Sequence, residues 1–249
     1  MKSILITGCN RGLGLGMIKV LVGLGNNQPA HIFATCRNKD KAVELLALAQ
    51  QHSNLHVIEL DVTDFSKQQD VLFKDISDVV KDQGLNVLVN NAGIAAKFTR
   101  LGLLKPEQMT DHFLVNVTAP LMLTKTMLPL LKKASEANSA APLGSSRAAI
   151  VNVSSIMGSI EDNTQGGFHP YRCSKAALNA ATRSLSIDLK GDKIIATAMH
   201  PGWVKTDMGG SNAPLEVGAA TAGIIQFIQS LGEAHNGGFF EYTGKAIKW

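Results

Sequence analysis

The sequence predicts an α/β fold, a doubly wound parallel sheet of about seven strands flanked by helices. Three observations carry that expectation. Short Val/Ile/Leu-rich runs recur along the 249 residues without polar alternation, the pattern of strands buried on both faces. Segments of helical period separate them. Hydrophobic residues make up 45% and charged residues 18%, with a net charge of +4, which excludes a disordered chain. An α/β chain of this length ordinarily folds as one domain with a core large enough to need no metal or disulfide, so residues 1–249 are expected to form a single domain.

In order, the expected strands are Ser3–Thr7, His31–Cys36, His56–Leu60, Val87–Asn90, Ala149–Val153, Ile194–Ala198 and a weaker seventh at Phe239–Glu241. Each is short, rich in β-branched or large apolar residues, and bounded by polar or glycine-containing segments. Between them, Lys39–Gln51, Ser66–Gln83, Ala176–Leu189 and Leu215–Leu231 carry helical period. Pro120 and Pro129 fall inside a further helical run, where a kink or a late helix start is expected. Ser135–Ser146, rich in Ala, Ser, Asn, Pro and Gly, reads as a surface loop.

Composition narrows the function. Cys9, Cys36 and Cys173 are three scattered thiols without a CxxC, which fits neither a disulfide framework nor a zinc site. His52 and His56 straddle a helix end and a strand start, a poor geometry for a metal, so no metal is expected. Lys and Arg form no stripe or block, so no nucleic-acid partner is expected. No uninterrupted apolar run approaches the ~18 residues of a membrane span. The apolar core at Met1–Gly8 is too short for a secretion signal. The expectation is a cytoplasmic protein with no membrane partner.

The chemistry begins at Thr7-Gly8-Cys9-Asn10-Arg11-Gly12-Leu13-Gly14, which follows the first strand and opens the first helix. Glycines there permit a sharp turn and close approach to a pyrophosphate, and the helix N-terminus supplies free N–H groups. The Gly-x-x-x-Gly-x-Gly spacing differs from the commoner dinucleotide fingerprint and also suits a tight turn without a ligand. Its place directly after the first strand favours the phosphate cradle. The second strand ends in Thr35-Cys36-Arg37, with no carboxylate to take a ribose hydroxyl. Arg37 and Arg11 instead offer cations for a 2′-phosphate, so NADP(H) is the expected cofactor.

Tyr171 and Lys175 stand four residues apart on one helical face. An ammonium ~4 Å from a phenol at an effective dielectric of ~20 favours the phenolate by about 4 kcal/mol, so the pair predicts a tyrosine tuned toward neutral pH. A surface helix with a solvated lysine is the plainer reading of that spacing. The fifth strand ends in Ser154-Ser155, where open α/β sheets place ligand-binding groups.

Taken together, these motifs resemble the short-chain dehydrogenase/reductase family over essentially the whole chain. The likeness rests on the Thr7–Gly14 loop, Asp61-Val62, Asn90-Asn91-Ala92-Gly93, Asn116, Ser155, Tyr171 with Lys175, and Pro201-Gly202-Trp203-Val204-Lys205-Thr206. The Ser3–Gly16 opening, Arg37 and the Pro201–Gly210 stretch look most like sniffer-type carbonyl reductases. The resemblance implies that Gly8, Asn10, Arg11, Gly12, Leu13 and Gly14 bind the cofactor. It implies that Asp61 and Val62 hold the adenine and that Asn90, Ala92 and Gly93 pass beneath a ribose. Ser155 would orient the carbonyl, Tyr171 would donate the proton, and Lys175 would bind the nicotinamide ribose and lower the tyrosine pKa. Asn116 would hold a water linking Lys175 to solvent, and Pro201, Gly202, Val204 and Thr206 would anchor the carboxamide or diphosphate. A homodimer through Ala119–Ala134 and Ala176–Leu189 is also implied.

One feature departs from the family pattern. Ser155 and Tyr171 are sixteen residues apart where thirteen is usual, with the extra length in Gly158–His169. Met157, Phe168, Trp203 and Met208 suit either an apolar pocket or ordinary packing. The expected activity is reduction of a ketone, aldehyde or quinone with NADPH. An NADP-dependent alcohol or hydroxysteroid dehydrogenase is the enzymatic alternative, and an NADPH-sensing binding module the non-enzymatic one. An epimerase would need a second, sugar-binding region, and a methyltransferase an acid where Arg37 sits.

Overall fold

A computed structural model describes residues 1–95 and 100–249. Seven strands form one all-parallel sheet in the order β3-β2-β1-β4-β5-β6-β7: β1 Ser3–Ile6, β2 His31–Cys36, β3 Leu55–Glu59, β4 Val87–Asn90, β5 Ala149–Val153, β6 Ile195–His200 and β7 Phe239–Glu241. β1, β4 and β5 are buried at every position, which explains their unbroken apolar character. The expected doubly wound, Rossmann-like sheet is present, and β6 runs two residues beyond its expected end, to His200.

Two apolar layers cover the sheet. Ile4, Ile6, Val87, Val89, Ile195 and Met199 pack against Gly12–Val22 and Val217–Ser230 on one face. Leu5, Leu88, Ile150 and Ala196 meet Ile76, Val80, Leu123 and Met127 on the other. Strand order reverses between β1 and β4, so the crevice beyond the carboxyl ends of these strands is the natural ligand position.

The helical run Pro106–Ala137 corrects an expectation. Neither a late start nor an interruption occurs at Pro120 or Pro129; the chain is helical throughout, with a π-turn at Leu114–Thr118. A π-turn shifts the hydrogen-bond register by one residue, and here the Ala119 N–H donates to the Leu114 carbonyl. By length and composition this run is apolar enough to cross a membrane. Its apolar residues Leu123, Met127, Leu130 and Leu131 are buried against the sheet, as in the core helix of a globular protein. The helix carrying Tyr171 spans His169–Asp188 and so starts seven residues before the segment in which helical period is visible.

At the opposite end of the sheet, Asn86 ties three strands together. Its Oδ1 accepts from the Lys2 N–H at 2.9 Å and the Ser3 N–H at 3.1 Å, and its Nδ2 donates to the Arg147 carbonyl at 2.9 Å. Leucine fills a similar volume and satisfies none of these groups. Asn86→Leu is therefore expected to cost about 2–4 kcal/mol and lower Tm by roughly 5–15 °C, measured by thermal melting with far-UV circular dichroism.

Candidate active site

The Gly-rich loop owes its shape to contacts with β4 that are remote in sequence. The Thr7 hydroxyl accepts from the Asn91 N–H at 3.0 Å and the Ala92 N–H at 2.9 Å, while Asn91 Nδ2 donates to the Thr7 carbonyl at 2.7 Å. The Cys9 N–H donates to the Thr35 carbonyl at 2.7 Å, which holds the loop against β2 as well. A Cβ at Gly14 would lie 2.2 Å from the Gly8 carbonyl oxygen, so the loop closes this tightly only with glycine there. Gly12 has φ +56°, a backbone conformation that again favours glycine.

A cleft of about 460 Å³ runs from this loop to Tyr171 and Lys175. Most of the expected cofactor residues meet in it: Gly8, Asn10, Arg11, Gly12, Leu13 and Gly14 at the loop, and Arg37, Asp61 and Val62 at the ends of β2 and β3. Ala92, Gly93, Pro201 and Thr206 complete its other walls. The Asp61 carboxylate accepts from the Thr63 N–H at 2.9 Å and the Thr63 hydroxyl at 2.7 Å, which fixes the turn at that wall.

Three expected binding residues stand apart from the cleft. Asn90 is buried beneath it, donating to Asn152 Oδ1 at 2.8 Å, and thereby braces β4 against β5. Gly202 makes room for Leu215 and Tyr242, and Val204 is buried in a bridge to Leu215. All three shape the walls from behind. Arg11 needs a correction too: its guanidinium pairs with Asp207 at 2.7 Å, so a competing carboxylate is present. Both partners are largely exposed, and such a pair contributes little stability, leaving Arg11 easily redirected.

At the far end, Ser155 follows β5, and its hydroxyl accepts from the Met157 N–H at 3.2 Å. Burial pushes the Tyr171 phenol above its usual pKa, and the nearby Ser155 hydroxyl offsets only part of that. Lys175 is 5% exposed, and burial lowers its ammonium to about 8. Its Nζ lies 5.7 Å from the centre of the Tyr171 ring and donates to the Val153 carbonyl at 2.8 Å. The sequence-based picture of an ammonium already lowering the phenol pKa is thus corrected: desolvation wins, and Lys175 is held by the end of β5.

Asn116 sits in the π-turn behind Lys175. Its Oδ1 accepts from the Ile94 N–H, its Nδ2 donates to the Ile94 carbonyl, both at 2.9 Å, and Nδ2 also reaches Ser174 Oγ at 3.0 Å. These bonds set the loop after β4 and engage both ends of the Asn116 side-chain amide. Sequence reasoning missed the polar bracing of the Tyr171 helix, in which Ser154 Oγ donates to Asn179 Oδ1 at 2.6 Å and Asn152 Nδ2 to Thr182 Oγ1 at 2.8 Å. It also missed Ser154, Lys205 and Asp207 as cleft-lining residues, although the last two lie inside or directly beside the quoted Pro201–Thr206 motif. Of the apolar candidates, Met208 lines the cleft, and Met157 and Phe168 flank the turn between Ser155 and Tyr171; Trp203 is exposed.

A family model described as short chain dehydrogenase matches residues 2–216. Among solved structures, the chain is similar to the carbonyl reductase Sniffer of D. melanogaster, at 54% identity and a TM-score of 0.98 over 100% of both chains. It is also similar to an NADPH-bound carbonyl reductase from chicken fatty liver, at 39% identity and a TM-score of 0.93, covering 100% of this chain and 99% of the other. The C-signal protein of Myxococcus xanthus is 39% identical over 165 residues, which are 66% of this chain and 93% of that protein.

The upward shift at Tyr171 is directly measurable, because Tyr242 is the only other tyrosine. In the cofactor-free protein, the ultraviolet difference titration of the parent minus Tyr171→Phe should show one phenol ionising above the ~10 of free tyrosine. A midpoint below 10 would mean that the Lys175 charge outweighs burial.

Proposed function

The chain belongs to the short-chain dehydrogenase family of oxidoreductases, and on that premise we propose that it is an NADPH-dependent carbonyl reductase. The observation that carries this reading is the meeting of the Tyr171 phenol and a buried Lys175 at one end of the cleft, with the Ser155 hydroxyl beside the phenol at the end of β5, and Arg37 with the Gly-rich loop at the other end. The NADPH named for the chicken reductase supports it.

The residues present fit the cofactor. The Gly8–Gly14 loop offers N–H groups and close backbone approach to a diphosphate, and Arg37, with Arg11 released from Asp207, offers cations to a 2′-phosphate. Asp61 and Val62 would flank the adenine, Ala92 and Gly93 a ribose, and Pro201 and Thr206 the nicotinamide end. When bound, the nicotinamide supplies a hydride to a carbonyl carbon.

The chain's own groups handle the proton and the charge. The Ser155 hydroxyl donates to the substrate carbonyl oxygen and orients it. Tyr171 is fully protonated at neutral pH, so its O–H is available to the oxygen as alkoxide character develops. The Lys175 ammonium, below its pKa of about 8, lies close enough to stabilise the phenolate left behind. Asn116, behind Lys175, would hold the water that returns a proton toward Lys175. Apolar Met157, Phe168 and Met208 beside these groups favour bulky apolar ketones, aldehydes and quinones over sugars or keto acids.

The same reading includes a homodimer. Leu114 and Ile187 are exposed on the two long helices Pro106–Ala137 and His169–Asp188, where pairing would cover them. Light scattering at micromolar concentration should give twice the 26.5 kDa chain mass, and a monomer would overturn this part.

Two variants test the core assignment. Tyr171→Phe should lower kcat by roughly 10²- to 10⁴-fold while NADPH still binds. Arg37→Ala should weaken NADPH roughly 10- to 100-fold, the scale of one or more charge-assisted contacts, and leave NADH almost unchanged. Titration of both cofactors against parent and variant, with initial rates on a quinone, decides it. Equal affinity of the parent for NADH and NADPH would refute the cofactor choice.

A further inference from the structure

The turn between Ser155 and Tyr171 is held from two sides, and only one of them involves the reactive helix. On that side Arg172 donates to the Met157 carbonyl at 3.4 Å and the Gly166 carbonyl at 3.3 Å, and a Cβ at Gly158 would lie 2.9 Å from Lys175. On the other side the partner is the last stretch of the sequence. The Trp249 carbonyl accepts from the Glu161 N–H at 3.0 Å and from the Ser159 hydroxyl at 3.2 Å. Lys248 pairs with the Glu161 carboxylate. The Trp249 indole stacks on Phe239 of β7, with ring centres 5.7 Å apart and planes 20° from parallel. The segment itself is fixed to β7, where the Ile247 N–H donates to the Phe239 carbonyl at 2.8 Å.

We propose that Lys248 and Trp249 are positioning residues that clamp Ser159–Glu161 and thereby fix the turn whose ends carry Met157 and Phe168, the apolar wall that would meet a bulky carbonyl. The proposal rests on the carbonyl-reductase reading given above. Its physical basis is separation. The clamp touches none of Ser155, Tyr171 and Lys175, whereas it determines where the residues running between Ser155 and Tyr171 are held. Phe239 is buried on the strand next to β6, so the indole has a rigid base, and a rigid base makes the carbonyl of the same residue a fixed acceptor. Loosening it lets the wall move away from a large apolar substrate, which loses contacts. A small aldehyde that never reaches the wall loses none.

The test compares Trp249→Ala, Trp249→Phe, Lys248→Glu, Glu161→Lys and the exchanged pair Lys248→Glu with Glu161→Lys. Amide hydrogen exchange across residues 158–165 is followed in the cofactor-free protein, and KM and kcat are measured for a polycyclic quinone and a small aldehyde. Trp249→Ala should speed exchange at Glu161 and raise KM for the quinone by roughly 3- to 10-fold, the scale of one lost aromatic stack. The kcat, the aldehyde KM and NADPH affinity should stay within about twofold. Trp249→Phe should restore most of the effect, and the exchanged pair should behave better than either single charge reversal. Unchanged exchange in Trp249→Ala would overturn the clamp. Faster exchange with an unchanged quinone KM would overturn its role in selection. An unmodified protein that reduces no carbonyl would instead overturn the reductase reading, since the exchange measurement does not depend on turnover.

Discussion

The site is organised by a single constraint, a lysine ammonium kept out of water with no carboxylate beside it. Among the described residues, Lys175 hydrogen-bonds only a backbone carbonyl, that of Val153, at 2.8 Å. A buried carboxylate would neutralise it more cheaply, but the charge would then be spent before any oxyanion appeared nearby. The structure accepts the desolvation instead, and the lowered pKa of about 8 measures that cost. Much of the surrounding sequence follows from making room for the side chain. Gly158 lets the turn after β5 lie against it, and Gly93 leaves space where a side chain would crowd Asn116 Oδ1 at 3.1 Å. Asn116 in turn fixes Ile94 through both backbone groups.

A second layer of polar contacts converts this local arrangement into a fixed position in the fold. Asn90, Asn152 and Thr182 form a buried chain from β4 through β5 to the helix His169–Asp188, and Ser154 with Asn179 adds a parallel link. Apolar packing alone tolerates small sliding of a helix over a sheet, whereas satisfied buried hydrogen bonds specify one register. Tyr171 and Lys175 therefore keep their relation to Ser155 without direct bonds between the tyrosine and the lysine.

Much of this was legible in the residues. Strands buried on both faces announce themselves as unbroken apolar runs, which is why β1, β4 and β5 stand out, whereas the edge strands β3 and β7, half-buried at several positions, carry a weaker signal. The Gly-rich loop, Arg37, Ser155 and the Tyr171–Lys175 spacing were readable because each is a local pattern with a local physical reason. What stayed hidden depends on pairs distant in sequence. Nothing in Arg11 reveals that Asp207 will reach it, and nothing in Asn90 distinguishes a brace from a ligand. The sign of the Tyr171 shift was hidden for a different reason: spacing gives the approach of two charges, but only the folded surroundings give the loss of water. The π-turn at Leu114–Thr118 leaves no composition signal, and Pro120, which suggests a kink or a late helix start, lies just past it inside a continuous helical run.

The linkage between the Gly-rich loop and β4 has a consequence for how the chain comes to be folded. Thr7 and Gly8 directly follow β1, while the amides and side chain that hold them belong to Asn91 and Ala92, 84 and 85 positions later for Thr7. In a parallel sheet each neighbouring strand is reached through a crossover, so β1 gains its inner partner only after β2 and β3 have been made. A nascent chain that ends before β4 has the glycines of a nucleotide cradle but lacks the framework that shapes them. During synthesis the apolar first strand must therefore wait, exposed on one edge, through the production of some eighty residues.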